Sequence, residues 1–310
     1  MLFRSSCFPV TIRFGPHDNQ DEDAISFAME KLGHTVIRIQ EAYAATARRE
    51  SGDFVLIHKL NELEILKAMR LPIVSWDFDT VVCDDPNLVQ RDALRKQWAE
   101  KLEEYTQLNF FTDGDWVNQK PNANRIQLMQ GADERYVGYG KSDKLLAPII
   151  FTGTTGHGFK RDQHINELIS HYRERFLVTG DLVRERTGTQ PWRLKAHGRA
   201  LADRLASAHI AISPDGPSTN NYWSNRVYLT LGLGGFLIHP FCKRLQQHYS
   251  PSELVTYKNR PELIEKIDYF LKHPEEREEI RAKGHQVTLE KHLYRRRVEQ
   301  LIETVKERLL

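Results

Sequence analysis

Short runs rich in β-branched and aromatic residues alternate with longer segments of helical period along this chain, and the whole series runs through twice. In the first pass, 9–14, 35–39, 54–58 and 71–76 have the composition of strands, with 109–112 and 125–129 as weaker candidates. Helices are expected from about Asp21 to a C-cap at Gly33, over 61–70, and over 88–108. Asp21, Glu22 and Asp23 suit the positive end of the first of these helices. Strands and helices alternating at this spacing build βαβ units and a parallel sheet.

The pattern restarts after the polar, glycine-containing stretch 131–144. Strands are expected at 148–152, 175–179, 209–213, 235–239 and 253–257, with helices over 163–174, over 199–207 and from about Ser224. Three helical stretches follow. Asn259 caps the first, with Glu262 at its third helical position. The last carries Val298, Leu301, Ile302, Val305 and Leu309 at helical spacing, an apolar stripe that must pack on something. Two such halves predict two doubly wound, Rossmann-like α/β domains facing across a cleft. The expected division is 1–144 and 145–310, with the last helix crossing back to the first domain.

A length of 310 residues gives each of two domains room for an ordinary core. A mean hydropathy of −0.55 with 28% charged residues excludes an integral membrane protein, and 10% aromatic residues argue against disorder. Lys and Arg number 44 against 42 Asp and Glu, a balance that advertises neither nucleic acid nor a membrane surface. The longest weakly polar run, 227–242, is too short to span a bilayer and is broken by glycines and Pro240. Cys7, Cys83 and Cys242 fit no disulfide framework or zinc spacing, and the first residues lack a signal-peptide core. The expectation is a soluble cytoplasmic protein without membrane insertion.

Ligands of open parallel sheets bind beyond the carboxyl ends of the strands, so the loops there carry the candidate chemistry. Gly153 to Arg161 follows a buried strand; its glycines open backbone N–H groups, and Lys160 and Arg161 add charge, a combination suited to phosphate. It lacks the P-loop order of glycine, lysine and hydroxyl, and the plain alternative is a turn with two solvated cations. A second loop, Asp215 to Arg226, leads into a helix that Ser224 or Asn225 caps, where Arg226 can grip a diphosphate through two N–H bonds. In the first half, His17, Asp18, His58, Asp77 and Asp79 stand at strand ends, where a base is useful but a capping role is commoner. Asp77 and Asp79 also have the spacing of a metal-holding pair, a weak match. His171, His248 and His273 read as surface residues, and the cluster 294–297 as a solvated helix face.

From Ser224 onward the chain resembles the CgeB-like spore-maturation glycosyltransferases: SNRVYLTLGLGGFLIH at 224–239, then YKNRPELIEKIDYFL at 257–271. Glu276-Arg277, Ala282-Lys283-Gly284 and the run from His292 to Arg296 continue the resemblance, which covers about 145–305. It implies a GT-B fold and transfer of a sugar from a nucleotide diphosphate, UDP being the expected carrier, without an essential metal or other cofactor. It also implies that Lys160, Arg161, Asn225 and Arg226 hold donor phosphates and that Gly180 and Asp181 approach the base and ribose. Many relatives of this fold carry a Glu shortly after the arginine, where this chain has Val227, Tyr228 and Leu229. A non-catalytic nucleotide- or glycan-binding module is therefore the alternative reading. His17 or Asp18 is expected to activate the acceptor, which is a glycan, a protein or a hydroxylated DNA base.

Overall fold

The computed structural model describes residues 9–13, 21–40, 52–58, 63–83, 88–121, 124–137, 147–153, 160–179, 198–214 and 219–310. They divide into two units, one of 1–131 with 294–310 and one of 132–293.

In the first unit, six strands form one parallel sheet: β1 (Pro9–Arg13), β2 (Ile37–Gln40), β3 (Phe54–Ile57), β4 (Ile73–Asp77), β5 (Leu108–Phe111) and β6 (Arg125–Gln127). Their spatial order is β2-β1-β3-β4-β5-β6. β3, β4 and β5 are buried along their whole length, as near-continuous apolar runs are when helices cover both faces of a parallel sheet. Helix α1 (Asp21–Lys31) ends as its glycine predicts: Gly33 has φ +85°, and the His34 N–H reaches back to the Met29 carbonyl at 3.1 Å. Helix α2 (Val89–Glu103) stops five residues short of the expected 108. Leu108 opens β5 instead, and the Gln107 side chain accepts the Ile73 N–H at 2.6 Å, fixing the turn between them. The expected helix over 61–70 is a 3₁₀ segment, Leu63–Ala68, whose buried Leu63 and Leu66 share one face at three residues per turn.

A short helix the sequence reading missed, α3 (Gly114–Gln119), is organised by a single carboxylate. Asp113 accepts the N–H groups of Asp115 (3.0 Å) and Trp116 (3.1 Å) on one oxygen and those of Val81 (2.7 Å) and Val82 (2.9 Å) on the other. It caps the helix and fastens the segment after β4 at the same time.

The second unit repeats the plan with β7 (Ile149–Thr152), β8 (Phe176–Thr179), β9 (Ile210–Ile212), β10 (Leu237–Pro240) and β11 (Val255–Tyr257), all parallel, in the order β11-β10-β9-β7-β8. Its helices are α4 (Lys160–Tyr172), α5 (Gly198–Ser207), α6 (Arg226–Gly232), α7 (Arg260–Lys272) and α8 (Pro274–Lys291). Buried Arg281 of α8 donates to the carbonyls of Ala206 (2.9 Å) and Ala208 (2.6 Å), supplying a cationic partner to the buried C-terminal end of α5. Helix α9 (Tyr294–Leu309) then returns to the first unit. Its Val298, Leu301, Ile302 and Val305 are buried in one cluster with Ala24, Ile25, Ala28 and Met29 of α1 and Trp76 of β4. The Tyr294 hydroxyl seals that contact by donating to Asp21 at 2.5 Å.

In both sheets the first strand lies between the second and the third. Travel across the sheet therefore reverses between β1 and β3, and again between β7 and β9. Loops leaving such a pair diverge to opposite faces and open a crevice at the strand ends.

Candidate functional site

The crevice position of the second sheet lies where Gly153 leaves β7 and Ser213 leaves β9, so topology alone brings together the two loops singled out in the sequence. Arg226, the first residue of α6, joins them. Its Nε donates to the Thr152 carbonyl at 2.6 Å, its Nη1 donates to the Ser224 hydroxyl at 2.9 Å, and its guanidinium carbon lies 5.2 Å from the centre of the Phe151 ring. A planar guanidinium suits this site because one edge can meet a carbonyl while the face lies on an aromatic ring.

Gly153 has φ +146°, and its N–H donates to the Thr179 carbonyl at 2.9 Å. That amide is thus committed to the end of β8, contrary to the expectation that it opens toward a phosphate. A Cβ at Gly153 would lie 2.5 Å from Arg226 Nη2.

The choice of cap on α6 resolves in favour of Ser224. Its hydroxyl accepts the Arg226 N–H at 3.1 Å and its carbonyl the Val227 N–H at 3.3 Å, whereas the Asn225 side chain makes no capping bond. With seven residues, α6 has little dipole to offer an anion, so positive charge here rests on side chains. Lys160 and Arg161 open α4, three residues earlier than expected. Arg161 is buried at 7% exposure, which excludes a solvated cation for that residue. Gly180 and Asp181 lie outside the described residues, just beyond the end of β8.

In the first unit, His17 and Asp18 lie outside the described residues. His58, just past β3, is buried; its Nδ1 lies 2.6 Å from the Trp76 carbonyl and its Nε2 3.6 Å from the Glu22 carboxylate. Since a carbonyl only accepts, Nδ1 carries a proton there. Asp77 and Asp79 do not form an open metal pair. Asp77 takes the Asp79 N–H on one oxygen (2.9 Å) and Arg95 on the other (2.7 Å). Burial pushes the Asp77 carboxyl up from its ordinary range, and the neighbouring Arg95 guanidinium pulls it back. Among the described residues no group of three His, Cys, Asp or Glu is placed to hold a metal ion.

Two features escaped the sequence reading. The Thr152 carbonyl and the Phe151 face were invisible as Arg226 partners, because a backbone acceptor leaves no side-chain signature. His248 is partly exposed, but its ring also packs 5.3 Å from Trp223 and 5.5 Å from His292, in a cluster that includes Tyr228 and Tyr249. Trp223 Nε1 donates to the Tyr228 hydroxyl at 3.1 Å, which steadies the residue just before Ser224.

Residues 161–303 match the family model described as glycosyl transferase-like. Among curated proteins no sequence matches the chain. Solved structures do. Anabaena HepE, in complex with UDP-glucose, superposes with a TM-score of 0.68 at 10% identity over 97% of this chain and 100% of that one. Sucrose-phosphate synthase from Thermosynechococcus elongatus gives 0.70 at 10% identity over 96% and 98%. A glycosyltransferase from Rickettsia africae gives 0.65 at 11% identity over 98% and 99%. At such identities the likeness speaks for the fold, which is GT-B. Residues 161–303 are accordingly a glycosyl transferase-like segment within a chain of GT-B fold.

Proposed function

We propose that this protein is a glycosyltransferase that moves a sugar from a nucleotide diphosphate, UDP being the expected carrier, to an acceptor hydroxyl. The observation that carries the reading is the junction of the β7 and β9 loops by Arg226, at the crevice position of the sheet that holds the glycosyl transferase-like segment. HepE, of the same fold, binds UDP-glucose, which supports a UDP-linked donor. We assign the donor site to Gly153, Lys160, Arg161, Gly180, Asp181, Ser224, Asn225 and Arg226. His17 and Asp18 remain our choice for activating the acceptor, which is a glycan, a protein or a hydroxylated DNA base. We place the protein in the cytoplasm on its cysteine pattern; among the described residues no helix is long and apolar enough to cross a membrane.

Breaking a glycosyl–phosphate bond leaves negative charge on the diphosphate. Fixed cations at the strand ends stabilise that charge as it develops, and because they are already in place no reorganisation is needed at the moment of reaction. In this proposal Arg226 is the cation already held there, and Lys160 and Arg161 at the start of α4 add their charge, without an essential metal. His17 or Asp18 would take the acceptor proton if the sugar configuration inverts.

Incubation of the protein with labelled UDP-sugars, with and without chelator, tests the proposal. Release of UDP, unaffected by chelator and accelerated by an acceptor, is the expected result. Selective UDP binding with no turnover on any sugar would support the non-catalytic module instead, the reading favoured by Val227, Tyr228 and Leu229 standing where relatives have an acid.

A further inference from the structure

A guanidinium on a surface helix is normally free to swing through many rotamers, and its entropy must be lost whenever it grips an anion. Arg226 is held beforehand. The Thr152 carbonyl takes its Nε–H, the Ser224 hydroxyl takes an Nη1–H, and the Phe151 ring lies beneath its face. The fourth wall is Gly153. Its N–H already belongs to Thr179, so its amide is not available as an anion ligand, yet the backbone adopts φ +146°, a conformation side-chained residues rarely take. What the glycine supplies is space, since any Cβ there would stand 2.5 Å from Nη2 and 3.0 Å from Nε of Arg226.

We propose that Gly153 and Phe151 are positioning residues that form a socket for the Arg226 guanidinium and hold it in register for a nucleoside diphosphate. The inference rests on the donor-site reading above and deepens it: the glycine after β7 serves the ligand through the arginine rather than through its own amide. Backbone strain and displacement of Arg226 then have one consequence in common, loss of a preorganised cation. Preorganisation acts on affinity by removing an ordering cost that would otherwise be met at binding.

A double-mutant cycle separates action through Arg226 from direct contact. UDP is titrated calorimetrically into the parent protein, Gly153→Ala, Phe151→Leu, Arg226→Ala and the two doubles that combine Arg226→Ala with each of the others. Gly153→Ala and Phe151→Leu are each expected to weaken UDP by about tenfold in the parent and by less than about twofold in the Arg226→Ala background, the mark of residues in one unit. Equal factors in both backgrounds would show that they touch the ligand themselves and would overturn the proposal. Phe151→Leu keeps the test open if Gly153→Ala fails to fold.

A measurement without ligand separates this inference from the functional one. The Arg226 Nε–H resonance should exchange slowly with water in the parent and faster in Phe151→Leu or Gly153→Ala. Unchanged exchange in both variants means there is no socket. A slow Nε–H in a parent protein that fails to bind UDP overturns the donor-site reading, and with it the claim that the socket serves a diphosphate.

Discussion

Arg226 was visible in the sequence as a cation ahead of an apolar helix, and its type was enough to nominate it. Its partners were not visible. The carbonyl of Thr152 is 74 positions away, and only the parallel order of β7 and β9 brings the two together. Gly153 shows the same limit from the other side: a glycine after a strand was easy to notice, but what its missing side chain leaves room for is Arg226, the first residue of α6. Charge and burial also part company at Arg161, because nothing in the letters distinguishes a solvated arginine from one at 7% exposure. His17, Asp18, Gly180 and Asp181 rest on the sequence alone. Replacing Arg226 by Ala is expected to weaken UDP binding by roughly 1.5–3 kcal/mol, the range for hydrogen bonds to charged groups. Calorimetry on both forms measures it, and equal affinities would take Arg226 out of the donor site.

At the scale of elements, strands and helix ends were the most legible features, because a parallel strand between helices is apolar throughout and a capped terminus has a fixed chemistry. Helix α7 is an example. The Asn259 side chain accepts the Glu262 N–H at 3.0 Å, and the Glu262 carboxylate accepts the Lys258 N–H at 2.7 Å. Asn259→Ala should cost about 1 kcal/mol by chemical denaturation, with no change in UDP affinity, since the cap lies outside the assigned donor site. The hydrogen bond from Lys266 holds the Glu262 carboxyl below the usual carboxylate range, assisted by the Lys258 N–H. A carboxyl lowered by folding stabilises the folded state above its unfolded value, near 4.5, and that contribution fades as pH falls through the folded value. The stability difference between the parent and Glu262→Gln should therefore be present at pH 7 and shrink as pH falls from about 4.5 through the lowered folded value, below which both side chains are uncharged. A difference that grows in acid would contradict the sign. The elements that misled were those decided by tertiary contacts. Residues 61–70 have helical composition, yet they take the tighter 3₁₀ path that buries Leu63 and Leu66. Helix α3 depends on Asp113, whose four N–H partners come from two segments more than 30 residues apart.

For the whole molecule, the repeated alternation of strands and helices was enough to give two doubly wound sheets, but not their strand order. That order decides where chemistry sits, because the reversal between β7 and β9 selects one pair of loops from all those at the strand ends. The chain's return is as consequential for stability. Val298, Leu301, Ile302 and Val305 complete the core of the first unit against α1, although some 260 residues separate the two helices in sequence. Ending the chain before Val298 would leave Ala24, Ile25 and Met29 facing water. Losing even one buried Leu or Ile side chain costs roughly 2–5 kcal/mol, and this truncation removes four apolar anchors at once. The first unit should lose its cooperative melting transition, and an unchanged melting curve would contradict the account.

Everything proposed about function comes back to whether a nucleoside diphosphate sits beyond the ends of β7 and β9. The most direct measurement is a crystal structure of the protein grown with UDP. Diphosphate density within hydrogen-bonding distance of Arg226, with that side chain still bonded to the Thr152 carbonyl, is the predicted result. UDP bound elsewhere on the chain, with Arg226 left untouched, would contradict it.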